Sequence, residues 1–128
     1  TSGTPLHLLV VGGGLCGLGA AIATRLAGHR VTVLEAVSSL REVGAGLQLT
    51  PNGVRLLDAW GLTADLADRV ASIDYIRMRR YDGQLLAERV DYATELRSRY
   101  GVPIWCLHRA DLQDAMVARA RALGAEIR

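Results

Sequence analysis

The chain has 128 residues, half of them hydrophobic and 22% charged, which suits one domain around one core and excludes a disordered or fibrous protein. Fifteen basic residues against 13 acidic ones leave a net charge of +2, too weak an electrostatic footprint for nucleic acid. Every basic residue is Arg, none is Lys, and Cys16 and Cys106 are the two cysteines. This excludes from the chain a Schiff-base lysine, the lysine-bearing phosphate loop of triphosphatases, a disulfide framework and a cysteine-based zinc site.

Residues 1–24 carry no Asp, Glu, Lys or Arg. No basic leader precedes this stretch, so it does not read as a signal peptide. Gly12, Gly13, Gly14, Gly17 and Gly19 break it too often for a membrane span, which needs about 20 steadily apolar residues. A soluble, cytoplasmic protein is expected. Residues 6–11 (LHLLVV) form a continuous apolar run, which predicts a strand buried on both faces of a parallel sheet. After the glycines, Leu15, Leu18, Ile22 and Leu26 recur at helical spacing, with Gly28 as the stop. Val31, Val33 and Leu34 predict a second buried strand, and the three elements make a βαβ unit.

Thr50-Pro51 opens a further helix, with Thr as N-cap and Pro in the first turn. Val54, Leu57 and Trp60 line it and Gly61 closes it. A short helix is predicted from residue 63 to about 70. Residues 73–81 and 84–91 flank Asp82-Gly83, a strong hairpin signal. A polar stretch follows, then a strand over 104–107. Leu112, Ala115, Met116, Ala120 and Leu123 predict a last amphipathic helix ended by Gly124, and residues 125–128 (AEIR) read as the start of another strand. A doubly wound sheet needs more strands than these, so the fold is expected to be α/β and incomplete, the N-terminal piece of a longer protein.

Gly12-Gly13-Gly14-Leu15-Cys16-Gly17 fits G-x-G-x-x-G, and its context between a buried strand and a helix makes it specific. Gly12 permits the tight turn, Gly14 lets the backbone approach a pyrophosphate, and Gly17 lets the helix pack close. The pyrophosphate of a dinucleotide would sit on the N–H groups and positive dipole end of the helix. Gly28 and Ala21 are read as further points of close helix–sheet approach. Glu35 ends the second strand 21 residues past Gly14. A carboxylate there accepts hydrogen bonds from ribose hydroxyls and repels a 2′-phosphate, so FAD or NAD is expected rather than NADP.

Three stretches in order, VVGGGLCGLGAAIATRLAGHRVTVLEA, EVGAGLQLTPNGVRLLDAWGL and LHRADLQDAM, resemble the FAD-dependent aromatic-ring hydroxylases. These are the single-component flavin monooxygenases of the salicylate and hydroxybenzoate hydroxylase kind. The resemblance implies a Rossmann-like FAD-binding βαβ unit with a parallel sheet. It implies FAD on Gly12, Gly14 and Gly17, with the adenosine ribose on Glu35. The Gly44-Ala45-Gly46 segment would pass close to the cofactor through the Ala45 and Gly46 main chain, with Arg41 just before it. Arg109 would reach the ribityl-phosphate region, a role that suits a permanently charged, forked guanidinium. The plain alternative for Arg109 is a surface ion pair with Asp111 or Asp114.

Family members reduce the flavin with NAD(P)H and transfer one oxygen of O₂ to an aromatic ring. They are several times longer than this chain, so the rest of the polypeptide and an aromatic small molecule are the implied partners. The hairpin at about residues 73–91 would begin a substrate-side sheet. No catalytic acid or base can be named within these residues, and no metal ligand set is present: His7, His29 and His108 are scattered. Cys16 reads as a packing residue, the arginines at 77, 79 and 80 as a solvated strand face, and Trp60 and Trp105 as core. The competing reading is a dinucleotide-binding module, for FAD or NAD, with no catalytic activity of its own.

Overall fold

The computed structural model describes residues 3–37 and 45–128. Strand β1 (His7–Val11) runs into helix α1 (Leu15–Leu26) and back into β2 (Arg30–Leu34). The two strands pair in parallel, residue for residue, from His7↔Arg30 to Val11↔Leu34. Strand β8 (Glu126–Ile127) adds in parallel to the other edge of β2, giving the order β1-β2-β8. Gly28 at φ 86° lets the chain turn sharply out of α1.

The middle of the chain makes a second, antiparallel sheet. Strand β7 (Trp105–His108) lies at its centre, flanked by β3 (Gly46–Leu49) and β4 (Val70–Ser72). Helices α2 (Pro51–Ala59) and α3 (Thr63–Leu66) connect the flanking strands. Strands β5 (Ile76–Arg79) and β6 (Leu85–Arg89) form a separate hairpin, followed by α4 (Tyr92–Tyr100). Helix α5 (Arg109–Ala122) leads from β7 to β8.

One core ties the two larger sheets together. The i, i+3, i+4 stripe Leu18, Ala21 and Ile22 of α1 is fully buried. It belongs to a single cluster with Val31 and Val33 of β2, Val54 and Leu57 of α2, Leu107 of β7, and Leu112, Met116 and Ala120 of α5. Helix α1 is thus covered by the parallel sheet on one side and α5 on the other. Arginine guanidinium groups close the seams where helices end. Arg25 Nε donates to the Leu123 carbonyl at 2.6 Å, and Arg119 Nε to the Trp60 carbonyl at 2.7 Å.

Several expectations need correction. β1 alternates rather than being buried throughout: Leu8 and Val10 pack against the core, while Leu9 is 65% and Val11 86% exposed. A continuous apolar run shows that both faces tolerate burial, not that these residues cover both. The helix predicted to reach residue 70 stops at Leu66, and Val70 instead begins β4. β3 was not expected. Neither was α4, which buries only Leu96 and so lacks a helical apolar stripe. Thr50 precedes α2, yet its hydroxyl donates to Asn52 Oδ1 rather than capping a helix N–H. Gly28 marks no close packing, because an added Cβ would meet nothing within 4 Å; its positive φ is what requires glycine. The hairpin, the strand at residues 104–107 and the helix after it fall where expected, within a few residues. Among the described residues no helix is long and apolar enough to cross a membrane.

The burial pattern separates two variants. Ile22→Ala empties a fully buried site and should cost about 2–5 kcal/mol. Leu9→Ala, on the exposed face, should cost roughly 0.5 kcal/mol or less. Urea unfolding followed by circular dichroism checks this; equal costs would contradict the assigned core.

Candidate functional site

The glycine loop owes its shape to close contact. A Cβ on Gly17 would lie 1.9 Å from the Gly12 carbonyl oxygen and 3.3 Å from Val10 Cγ1, so only glycine lets α1 press onto the loop. Gly12 sits at φ 102°, a conformation open to glycine, and its N–H donates to the Leu34 carbonyl at 2.7 Å. Gly14 is the N-cap of α1, in extended backbone. A Cβ on Gly12 or Gly14 would meet nothing within 4 Å among the described residues. The loop therefore packs tightly behind Gly17 and leaves open space in front of Gly12 and Gly14. Among the described residues no side chain caps α1, and no acidic residue stands in its first turn. Its N–H groups and positive dipole end are thus suited to an anion.

Glu35 stands just past β2 and turns back to the loop. Its Oε2 accepts the Gly13 N–H at 2.6 Å and its Oε1 accepts the Val37 N–H at 3.0 Å. These bonds, Val37 first and Gly13 second, stabilise the charged carboxylate and hold its pKa below the ordinary 4.5. A carboxylate offers about four acceptor positions, so Glu35 can accept from an outside donor as well as from the main chain.

The start of α5 makes the opposite wall. The Arg109 N–H donates to the Ala45 carbonyl at 3.1 Å, and Gly46 pairs with His108 across β3 and β7. Ala45, Gly46 and Arg109 are thus brought together. Asp111, one of the two ion-pair partners weighed for Arg109, faces Arg69 at 3.6 Å. Arg41 and Gly44 lie outside the described residues. Cys16, expected to pack, is exposed.

One residue of this site escaped the sequence reading. Gln113 lies one turn beyond Arg109 in α5, is 2% exposed, and donates from Nε2 to the Gly13 carbonyl at 3.3 Å. Its Oε1 is buried without a hydrogen-bond partner among the described residues, a condition that costs on the order of 1–3 kcal/mol. The signal was a single polar residue on the otherwise apolar face of Leu112, Met116 and Ala120. Gln113 joins the two walls: the glycine loop and Glu35 on one side, Ala45, Gly46 and Arg109 on the other. Among the described residues no cluster of His, Cys, Asp or Glu is arranged to hold a metal ion.

Comparison with known proteins points in one direction. The sequence profile described as FAD binding domain matches residues 6–128. The chain is 55% identical over 125 residues to the FAD-dependent monooxygenase OpS4 of Beauveria bassiana, covering 97% of this chain and 29% of that protein. It is 36% identical over 120 residues to 3-hydroxybenzoate 6-hydroxylase of Polaromonas naphthalenivorans, covering 93% of this chain and 30% of that protein. Among solved structures, 2-methyl-3-hydroxypyridine-5-carboxylic acid oxygenase superimposes with a TM-score of 0.82 at 32% identity, over 98% of this chain and 32% of that one. p-Nitrophenol 4-monooxygenase of Pseudomonas putida gives 0.80 at 28% identity, over 98% and 32%. The chain thus spans about a third or less of the length of these relatives.

The Glu35 bonds carry a pH signature. Because its folded pKa is lowered, the stability they contribute is present above the ordinary 4.5 and is lost as the pH falls through the depressed value. In an acid titration followed by NMR, the Gly13 amide resonance should move with a midpoint below 4.5 and stay flat in Glu35→Gln. A midpoint at or above the ordinary value would show that the carboxylate does not hold the loop.

Proposed function

Because this chain belongs to the FAD binding domain family, we propose that it is the FAD-cradling N-terminal part of a longer flavin-dependent monooxygenase. That enzyme would hydroxylate an aromatic or related small molecule with NAD(P)H and O₂. The observation that carries the reading is the glycine loop, closed behind Gly17, where a Cβ would lie 1.9 Å from the Gly12 carbonyl oxygen; to the loop residues Gly12 and Gly14 the proposal adds Glu35, Ala45, Gly46 and Arg109 as the residues that border the cofactor. Relatives named 3-amino-4-hydroxybenzoate 2-monooxygenase and 3-hydroxybenzoate 6-hydroxylase are 37% and 36% identical to this chain, which supports an aromatic substrate class.

In this reading the pyrophosphate of FAD lies before Gly12 and Gly14, against the uncapped N-terminus of α1. The missing Cβ atoms allow contact with the main chain, and the helix dipole favours the negative charge. Glu35 accepts from the adenosine ribose hydroxyls while its bond from the Gly13 N–H keeps the loop in place. The same carboxylate would repel a 2′-phosphate. Arg109 supplies a fixed positive charge on the far wall, and the main chain of Ala45 and Gly46 borders the space between. Arg41 belongs to the same proposed set by its place just before that segment. Bound flavin would supply electron transfer and oxygen activation; these residues bind and orient it.

We assign the whole of residues 1–128 to the FAD-binding domain and the hairpin within about 73–91 to the start of a substrate-side sheet. Support for the latter is that β5 and β6 join neither of the other sheets and expose Ile76, Met78, Leu85 and Leu86. Such an apolar surface favours cover by further polypeptide.

Two substitutions test the cradle in the complete protein. Gly14→Val places a branched side chain in the open space and should abolish flavin retention while leaving the circular dichroism spectrum in place. Glu35→Ala should weaken FAD binding about tenfold or more, because both the ribose acceptor and the anchor of the Gly13 N–H are lost. Flavin absorbance after gel filtration and fluorescence titration measure both. Retention of stoichiometric FAD by Gly14→Val would remove the loop from the site.

A further inference from the structure

We infer that Gln113 is a positioning residue that sets the glycine loop in its binding shape, a role that rests on the FAD reading above. Gly13 has no side chain, so its place is fixed through its main chain alone. Its N–H is held by Glu35 at 2.6 Å and its C=O by Gln113 at 3.3 Å. The two anchors come from the end of β2 and from α5, 22 and 100 residues away in sequence. Three consecutive glycines have many accessible conformations, and these two bonds select one.

The orientation of the Gln113 amide follows from the same contact. A carbonyl oxygen accepts and cannot donate, so Nε2 must face Gly13 and Oε1 is turned inward, where it finds no donor among the described residues. An apolar residue of equal length would avoid that cost. Gln113 is therefore poorly explained as a contributor to core stability and well explained as an anchor. The helix that carries it also binds Ala45 through the Arg109 N–H. One rigid element thus fixes the loop and the start of β3 in the same frame. A loop already in its bound shape loses less freedom on binding, and affinity rises accordingly.

The test uses the complete protein, stripped of flavin and reloaded, with the parent, Gln113→Met, Gln113→His and Gly14→Val compared. Gln113→Met keeps the side-chain length and removes both polar atoms. Its flavin-free form should melt at the parent temperature or above, while its Kd for FAD by fluorescence titration rises about five- to tenfold, one hydrogen bond's worth. Gln113→His restores an N–H donor at similar reach and should return the Kd to within about twofold of the parent. If Gln113→Met binds FAD as the parent does while Gly14→Val does not, the anchoring role is wrong and the FAD reading stands. If the flavin-free Gln113→Met protein melts lower or fails to fold, or His gives no rescue, Gln113 is a packing residue and the inference falls. If Gly14→Val keeps its FAD, the underlying reading falls instead.

Discussion

The fold hangs on one close approach, the Gly17 main chain against the Gly12 carbonyl. With a Cβ 1.9 Å from that oxygen excluded, α1 descends onto the loop. Its stripe of Leu18, Ala21 and Ile22 enters the core, and its N-terminus comes to lie at the open side of Gly14. Helix α5 can then pack across α1, which is what brings Gln113 to Gly13 and Arg109 to Ala45. Packing and site geometry thus have the same origin: the contact that closes the back of the loop leaves its front open.

Charge is distributed to match. The first turn of α1 carries no acidic residue and the first 24 residues carry no formal side-chain charge other than what a histidine can acquire. Glu35 accepts the Gly13 N–H on Oε2 and the Val37 N–H on Oε1, and these bonds hold its pKa below the ordinary value. The exclusive use of arginine also has visible consequences. Arg25 and Arg119 reach partly buried carbonyls at helix ends, where a planar donor fork satisfies acceptors that a helix terminus leaves unpaired.

Much of this was legible in the chain because local and long-range requirements coincide. Gly12, Gly14, Gly17 and Glu35 sit at spacings that only a strand–loop–helix–strand unit explains, and Asp82-Gly83 dictates its hairpin directly. Other elements left no local trace. β3 is four residues of GLQL whose strand character comes from pairing with β7, and α4 buries Leu96 alone. The run over residues 6–11 was apolar enough for a strand covered twice, but composition cannot say how many covering layers one chain supplies. Val70 belonged to a strand rather than a helix because its partner is Leu107, a pairing invisible in sequence. Gln113 was passed over for a related reason: a lone polar residue in an apolar stripe acquires meaning only when its partner, 100 residues away, is known.

The central claim is that the loop at Gly12–Gly14 and the start of α5 form two walls of a single FAD cradle. Amide hydrogen exchange on the complete protein, with and without FAD, tests it most directly. The account predicts slower exchange on flavin binding at residues 12–18 and, together with it, at residues 45–46 and 109–113. Unchanged exchange at residues 12–18, or protection of that loop with none at the start of α5, would contradict it.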